Sequence, residues 1–520
     1  MRMLLILVLL LGTVESFKFL VHSTRFGQSH TNFLAKLADV LVDAGHEVVI
    51  VSPIMNSRIN GPSTKARVIE IPQCQRAVDF EGVANNEMSH NVWVMKHPIQ
   101  IFLEQRDMFA TWGHVCESVV THPGLLDKLK AEKFDVAFGE SLDFCAAATF
   151  HLVGVEKWAV TESIAIRDGG FSSTQTPGNP AYVPSLMSGG GERMDFFSRL
   201  SNAASHLMTD YFFGFIGAAI EKRIRIHVPD LPSAEEMTST NSLIFYNSEP
   251  LVDFPKITSA RTIDIGGITV SSAHGPLNET WSSVMDLRPS TILISFGTVA
   301  QAFAMPEEYK QTIKETIRKF PDVTFIWKYE KPEHKISAGI PNLIESTWVP
   351  QRDMLHDSRL SAFITHCGQG STTEAIDAGM PLIVIPVLAD QQRNAHQIER
   401  IGVGLRLDKN DLSGVEKLSE AITEILRNEK FRQNARKVKQ MIADRPFQMK
   451  EIFIRNMEFI AKHGPLRQLD HYGRNLNWIQ YYLIDVIVFV VLSVSLICFA
   501  LFWLIRALMR RVFMPKAKTE

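Results

Sequence analysis

Cysteine is scarce in this chain, with five residues at positions 74, 116, 145, 367 and 498 of 520. Their odd number and wide spacing exclude a disulfide-framework fold and any closely spaced zinc-ligand set, while leaving room for one bridge. Excess charge is also missing: 54 basic against 56 acidic residues give a net charge of −2, so there is no field to gather nucleic acid. No Asp-x-Asp pair of the kind that holds a metal ion occurs, and no internal repeat is visible. Glycosylation sequons are limited to Asn278-Glu279-Thr280.

Long apolar runs are confined to the two ends. Arg2, the apolar stretch 3–11 and the small residues before Phe17 read as a secretory signal peptide, residues 1–16. Residues 486–505 carry no charge and match the length of a bilayer-spanning helix. Trp478, Tyr481 and Tyr482 precede this run, and Arg506, Arg510, Arg511, Lys516 and Lys518 follow it. That asymmetry predicts a single-pass type I protein with a cytosolic tail, residues 506–520, and its bulk in a lumen. The final Lys-Ala-Lys-Thr-Glu resembles the dilysine retrieval signal of the endoplasmic reticulum membrane. The sequon then faces the lumen, and Asn278 is an expected glycosylation site.

Between the ends, strand and helix patterns alternate. Residues 17–23 read as a strand, 31–44 as a helix with Ser29 as N-cap and Gly45 as its stop, and 47–52 as a second strand. Residues 134–138 and 158–161 add strands, giving a doubly wound first domain, 17–255. The stretch 169–191, rich in Gly, Ser, Pro and Thr, reads as a long loop over a binding site. A second strand-rich order beginning at 242–247 and continuing through 262–268 and 291–295 predicts a second α/β domain, 256–463. A juxtamembrane linker, 464–485, follows it.

The densest signal is the segment 348–391. Its apolar strand ends at His366, a turn of small residues follows, Ser371 with Glu374 reads as a capping box, Gly379 stops the helix, and a short strand precedes Pro386. A loop at the carboxyl end of a strand that opens a helix offers backbone N–H groups and a positive dipole end to an anion.

The order Trp348-Val349-Pro350-Gln351, then His366-Cys367-Gly368, Ser371, Glu374, Pro381, Pro386 and Asp390-Gln391 resembles the signature of the UDP-glycosyltransferase family, in its animal UDP-glucuronosyltransferase-like branch. The resemblance implies a GT-B fold, in which two Rossmann-like domains face each other across a cleft, here with a C-terminal membrane helix. It implies transfer of glucuronic acid or glucose from a UDP-sugar co-substrate to a hydroxyl of a small lipophilic acceptor, with inversion and without cofactor or metal. A detoxification role, a bilayer partner and no nucleic-acid partner go with it; oligomeric state stays open.

Residue by residue, the resemblance points to His30 as general base, a neutral imidazole favoured by the positive end of its helix, with His22 as competitor. Glu140 stands where many animal relatives carry aspartate, and Asp143 is the alternative acid. In the donor site Trp348 would stack on uracil, Gln351 pair with base or ribose, and Glu374 accept from the ribose hydroxyls. His366, Gly368, Gly370, Ser371 and Thr298 would face the diphosphate, and Asp390 with Gln391 would hold the sugar. Gly370 departs from the asparagine of many relatives and removes a side-chain donor. A UDP-sugar-binding relative without strong catalysis is the alternative to an enzyme, and a single-pass receptor the more distant one.

Overall fold

The computed structural model describes residues 15–94, 98–165, 178–186, 188–270 and 274–513. The expected signal peptide, apart from Glu15 and Ser16, residues 169–177 and 187 of the Gly/Ser-rich loop and the terminal Lys-Ala-Lys-Thr-Glu lie outside them. The chain divides into a body, Met1–Leu469, and a separate unit, Asp470–Glu520.

The body contains two parallel sheets. The first is built from β1 (Lys18–His22), β2 (Glu47–Pro53), β3 (Arg67–Ile71), β4 (Val136–Glu140), β5 (Trp158–Glu162), β6 (Ile244–Tyr246) and β7 (Thr262–Asp264), in the order β3-β2-β1-β4-β5-β6-β7. The second contains β8 (Ser290–Ser295), β9 (Val323–Lys328), β10 (Leu343–Ser346), β11 (Leu360–Thr365), β12 (Leu382–Val384) and β13 (Gly404–Arg406), in the order β10-β9-β8-β11-β12-β13. Both orders reverse direction beside the first strand, which opens a crevice at the carboxyl ends of β1 and β8.

Strand alternation decides which residues feed which face. Leu20, Ala137 and Val160 join the core on one side of the first sheet, and Phe19, Val21 and Phe138 join that on the other. The second sheet divides Ile292 and Ile294 from Leu293 in the same way. Because helices cover both faces, the strands are apolar throughout rather than alternating with polar residues. Each such side chain, buried, contributes about 1.5–3 kcal/mol.

The helices that position the site are α1 (Gln28–Asp43), α2 (Pro98–Val120), α3 (Phe144–Val153), α4 (Gln369–Ala378), α5 (Gln391–Arg400) and α6 (Met449–His463). α1 starts at Gln28 with Gly27 as N-cap, so Ser29 lies inside its first turn rather than capping it. Cys116 in α2 and Cys145 in α3 form the single bridge that the cysteine count left open, tying two helices that cover the first sheet.

The path between the sheets differs from the expected one. β6 and β7 pair with β5 and each other, so the strands at 244–246 and 262–264 complete the first sheet instead of starting the second. The chain changes sheet only between β7 and β8, past the expected boundary after residue 255. It later returns: Phe453, Met457 and Ile460 of α6 pack with Phe19, Phe138 and Phe245 of the first sheet. Parallel partners are chosen across long crossovers, and three-residue strands carry no local mark of which sheet they join.

In the second unit, residues 484–510 form one helix long and apolar enough to cross a membrane. It extends from Ile484 to Phe513, beyond the expected 486–505 at both ends.

Candidate functional site

His30 occupies the first turn of α1, directly after the loop that leaves β1. A Cβ on Gly27 would lie 2.8 Å from His30 Cδ2, so the glycine makes room for the imidazole, while the Phe26 ring packs 4.5 Å away. Glu140 ends β4, the neighbour of β1, which brings both residues to the same edge of the sheet. Nδ1 of His30 stands 3.0 Å from Glu140 Oε2 and 2.7 Å from the hydroxyl of Ser163, the residue that follows β5. The Ser163 hydroxyl and N–H both donate to Glu140 Oε1, at 2.6 and 3.0 Å.

The competing residues pair with each other. His22 Nδ1 and Asp143 Oδ2 are 3.0 Å apart, and both side chains are buried, at 0% and 1% exposure. Burial works against the Asp143 charge, but His22 outweighs it and keeps the carboxyl below its ordinary range. Asp143 also caps α3 by accepting from the Cys145 N–H. His30, in contrast, keeps 18% of its side chain exposed.

The expected electrostatics of His30 need correction. Burial depresses its pKa, yet Glu140, with Asp390 and Glu162, overcomes this and holds it above the ordinary 6.5. A full carboxylate in contact outweighs the partial charge of a helix end.

On the second sheet, α4 opens one turn after β11. Gly368 is its N-cap and no side chain caps it, so the anticipated Ser371–Glu374 box is not formed. The helix begins at Gln369, which places Ser371 within the first turn, and Glu374 instead accepts from Gln351 Nε2 at 2.7 Å. The same Nε2 lies 3.4 Å from Ser371 Oγ. Burial raises the Glu374 pKa. Trp348, three residues before Gln351, has 66% of its surface exposed. The N–H groups of Gln369, Gly370 and Ser371 have no carbonyl one turn back, the arrangement by which helix starts can hold anions.

His366 fits between two glycine turns. A Cβ on Gly297, whose φ is +82°, would come within 2.7 Å of the ring, and one on Gly368 within 2.5 Å. Thr298 follows Gly297 and is exposed. Lys328 donates to the Gly297 carbonyl at 2.8 Å. Burial, helped by Lys328, pushes His366 down to about 4, so the ring is neutral at physiological pH. Asp390 accepts from Asn394 at 2.7 Å, and burial raises its pKa. The Gln391 amide oxygen is occupied by the Val387 and Leu388 N–H groups, at 2.9 and 3.0 Å.

Contacts across the crevice join the halves. Gln369 Nε2 donates to the Asn247 carbonyl at 2.8 Å, and Asn247 Nδ2 donates to the Ser163 carbonyl at 3.0 Å. Below them Asp253 is buried against Arg393 of α5 at 2.7 Å, with Gln397 donating at 2.6 Å. Sequence reasoning missed Ser163, Asn247, Lys328 and Asp253; for Ser163 the available signal was its place at the carboxyl end of the strand beside β4. Asn278 is exposed and caps the helix Glu279–Met285. Among the described residues no group of three metal-ligating side chains occurs.

The model of the family described as UDP-glucoronosyl and UDP-glucosyl transferase matches residues 18–519. The putative UDP-glucuronosyltransferase ugt-48 of Caenorhabditis elegans is 28% identical over 91% of this chain and 91% of its own length. UDP-glucosyltransferase 2 of Dactylopius coccus is 26% identical, over 95% of this chain and 93% of its own. A UDP-glucosyltransferase from Polygonum tinctorium superposes with a TM-score of 0.57 at 14% identity, covering 87% of this chain and all of that one, 100%. Its likeness establishes the GT-B fold. The chain therefore belongs to the UDP-glucuronosyl and UDP-glucosyl transferase family.

Proposed function

We propose that the protein is a membrane-anchored inverting glycosyltransferase that moves glucuronic acid or glucose from a UDP-sugar to a hydroxyl of a small lipophilic acceptor, with His30 as base. The observation that carries this reading is the fixed imidazole: Nδ1 is engaged by Ser163 beside Glu140, which leaves Nε2 to take a proton. As the acceptor oxygen attacks the anomeric carbon, His30 accepts its proton, Glu140 steadies the imidazolium, and the bond to the diphosphate breaks. The opening of α4 and the neutral His366 supply donors to the departing charge, with Trp348, Gln351 and Glu374 on the nucleoside and Asp390 with Gln391 on the sugar. No step calls for a cofactor or a metal ion.

The Cys116–Cys145 bridge favours an oxidising lumen, and the terminal lysines favour retention in the endoplasmic reticulum. A lipophilic acceptor suits an enzyme anchored to a bilayer, and glycosylation at the exposed Asn278 suits the same topology.

Transfer from UDP-glucuronate and UDP-glucose, side by side, to phenols and steroids in membranes expressing the intact chain tests this reading. Turnover with one donor, unaffected by a chelator, is the expected result. UDP binding without transfer from either would leave a binding protein. Gly370 gives a separate check on the donor site: a Cβ there meets nothing within 4 Å. Gly370→Asn is therefore expected to supply a donor and lower KM for the UDP-sugar by about 3- to 10-fold, the net worth of one ordinary hydrogen bond; an unchanged KM would place the diphosphate elsewhere.

A further inference from the structure

The hydrogen bond that orients His30 goes to a serine. Ser163 Oγ lies 2.7 Å from Nδ1, closer than the buried Glu140 Oε2 at 3.0 Å. The Ser163 proton is committed to Glu140 Oε1 at 2.6 Å, and its N–H grips the same oxygen at 3.0 Å. With its proton spent on the carboxylate, Oγ has only lone pairs to offer and must accept Nδ1–H. That selects the tautomer with a bare Nε2.

We propose that Ser163 is a positioning residue of the transfer reaction, standing between His30 and Glu140 as a relay that fixes the tautomer of the ring and holds the carboxylate against it. The proposal rests on His30 being the base. In the step itself the acceptor O–H proton moves to Nε2, the new bond forms between acceptor oxygen and anomeric carbon, and the bond to the UDP oxygen breaks. The Nδ1 and serine protons keep their places, and Oε2 supplies the counter-charge to the imidazolium. The arrangement also explains how a glutamate functions here: the serine clamps Oε1 and turns the longer side chain so that Oε2 faces the ring.

The donor half reaches the same residue. The Ser163 carbonyl is held by Asn247 Nδ2, and the Asn247 carbonyl by Gln369 at the start of α4. Ser163 thereby links the base to the loop on which the diphosphate would rest.

The test is a cycle of His30→Ala, Ser163→Ala, Ser163→Thr, Glu140→Gln and the Ser163→Ala/Glu140→Gln pair in the intact membrane-bound chain, with melting temperature and UDP binding measured on each. Ser163→Ala is expected to lower kcat about tenfold while KM for the UDP-sugar stays within about twofold, and Ser163→Thr to restore most of the loss. Glu140→Gln is expected to cost about tenfold alone but less than about threefold in the Ser163→Ala background, because without the serine's grip on Oε1 the carboxylate no longer holds its place against the ring. Full costs that multiply in the pair, or a Ser163→Ala enzyme with wild-type kcat, would overturn the relay while His30→Ala inactivity kept the base. Full activity of His30→Ala would remove the base and the relay together.

Discussion

Replacing His30 by alanine is expected to lower kcat about 10²- to 10⁴-fold, the usual worth of a positioned general base, while leaving UDP affinity within about twofold. The separation follows from geometry. His30 and its partners Glu140 and Ser163 all lie on elements around the first sheet, whereas Trp348, Gln351, His366 and Glu374 lie on elements around the second. Nucleotide binding therefore survives loss of the imidazole. The pH profile adds an independent reading. On the proposed role as base the neutral ring is the active form, and Glu140, with Asp390 and Glu162, outweighs burial to hold its pKa above 6.5. Activity should fall on the acid side of a midpoint above that value and rise as pH increases through it. A His30→Ala enzyme with undiminished kcat, or a wild-type profile flat through this range, would exclude His30 as the base. His22→Ala is no substitute for this test, since His22 is sealed behind the strand with Asp143.

The largest stability effect is expected at Asp253. Arg393, at 1% side-chain exposure, bonds to it at 2.7 Å, Lys256 at 2.6 Å, Ser248 at 2.7 Å and Gln397 at 2.6 Å. Asp253→Ala strands a fully buried guanidinium and should cost about 3–5 kcal/mol, read as a fall of several degrees or more in Tm. The surface pair Arg455–Glu451, at 73% and 61% exposure, lies in the class whose removal changes little. A paired Asp253→Leu/Arg393→Met variant should recover much of the loss, because the cost comes from the orphaned charge rather than from the missing attraction. Burial opposes the Asp253 charge, but Arg393 and Lys256 prevail and keep its folded pKa well below the usual value. The stabilisation is therefore complete above the unfolded aspartate pKa of about 3.9 and disappears only as pH falls through the depressed folded value. An Asp253→Ala protein that melts like the wild type would show the cluster to be energetically neutral. Since α5 starts at Gln391, next to Asp390, the same variant should also weaken sugar-donor binding.

The parts of this site that were legible from sequence are those written in consecutive residues. The loop after β11, the glycines around His366 and the helix start that follows announce an anion site because backbone geometry is local. His30 was legible for the same reason, as a polar residue opening a helix just after a strand. What was not legible depends on which strands become neighbours. Ser163 meets Glu140 only because β5 pairs with β4, and Asp253 meets Arg393 only when the two halves close. The Ser371–Glu374 pattern misled because a helix can start two residues before its first good capping residue, freeing both side chains for Gln351. Helix-end electrostatics gave the wrong sign for His30 because its nearest charges come from distant segments.

The return of α6 to the first sheet bears on how such enzymes diversify. Phe453 and Met457 fill a core whose other walls are Phe19, Phe138 and Phe245, so the last helix of the body is matched to residues encoded hundreds of positions earlier. Exchange of the two halves between relatives cannot follow a single cut. A recombinant joined once, between β7 and β8, inherits an α6 shaped for another partner. Only an exchange with a second crossover ahead of residue 449 keeps lock and key together, which makes selectivity easier to evolve by changing loops than by trading halves.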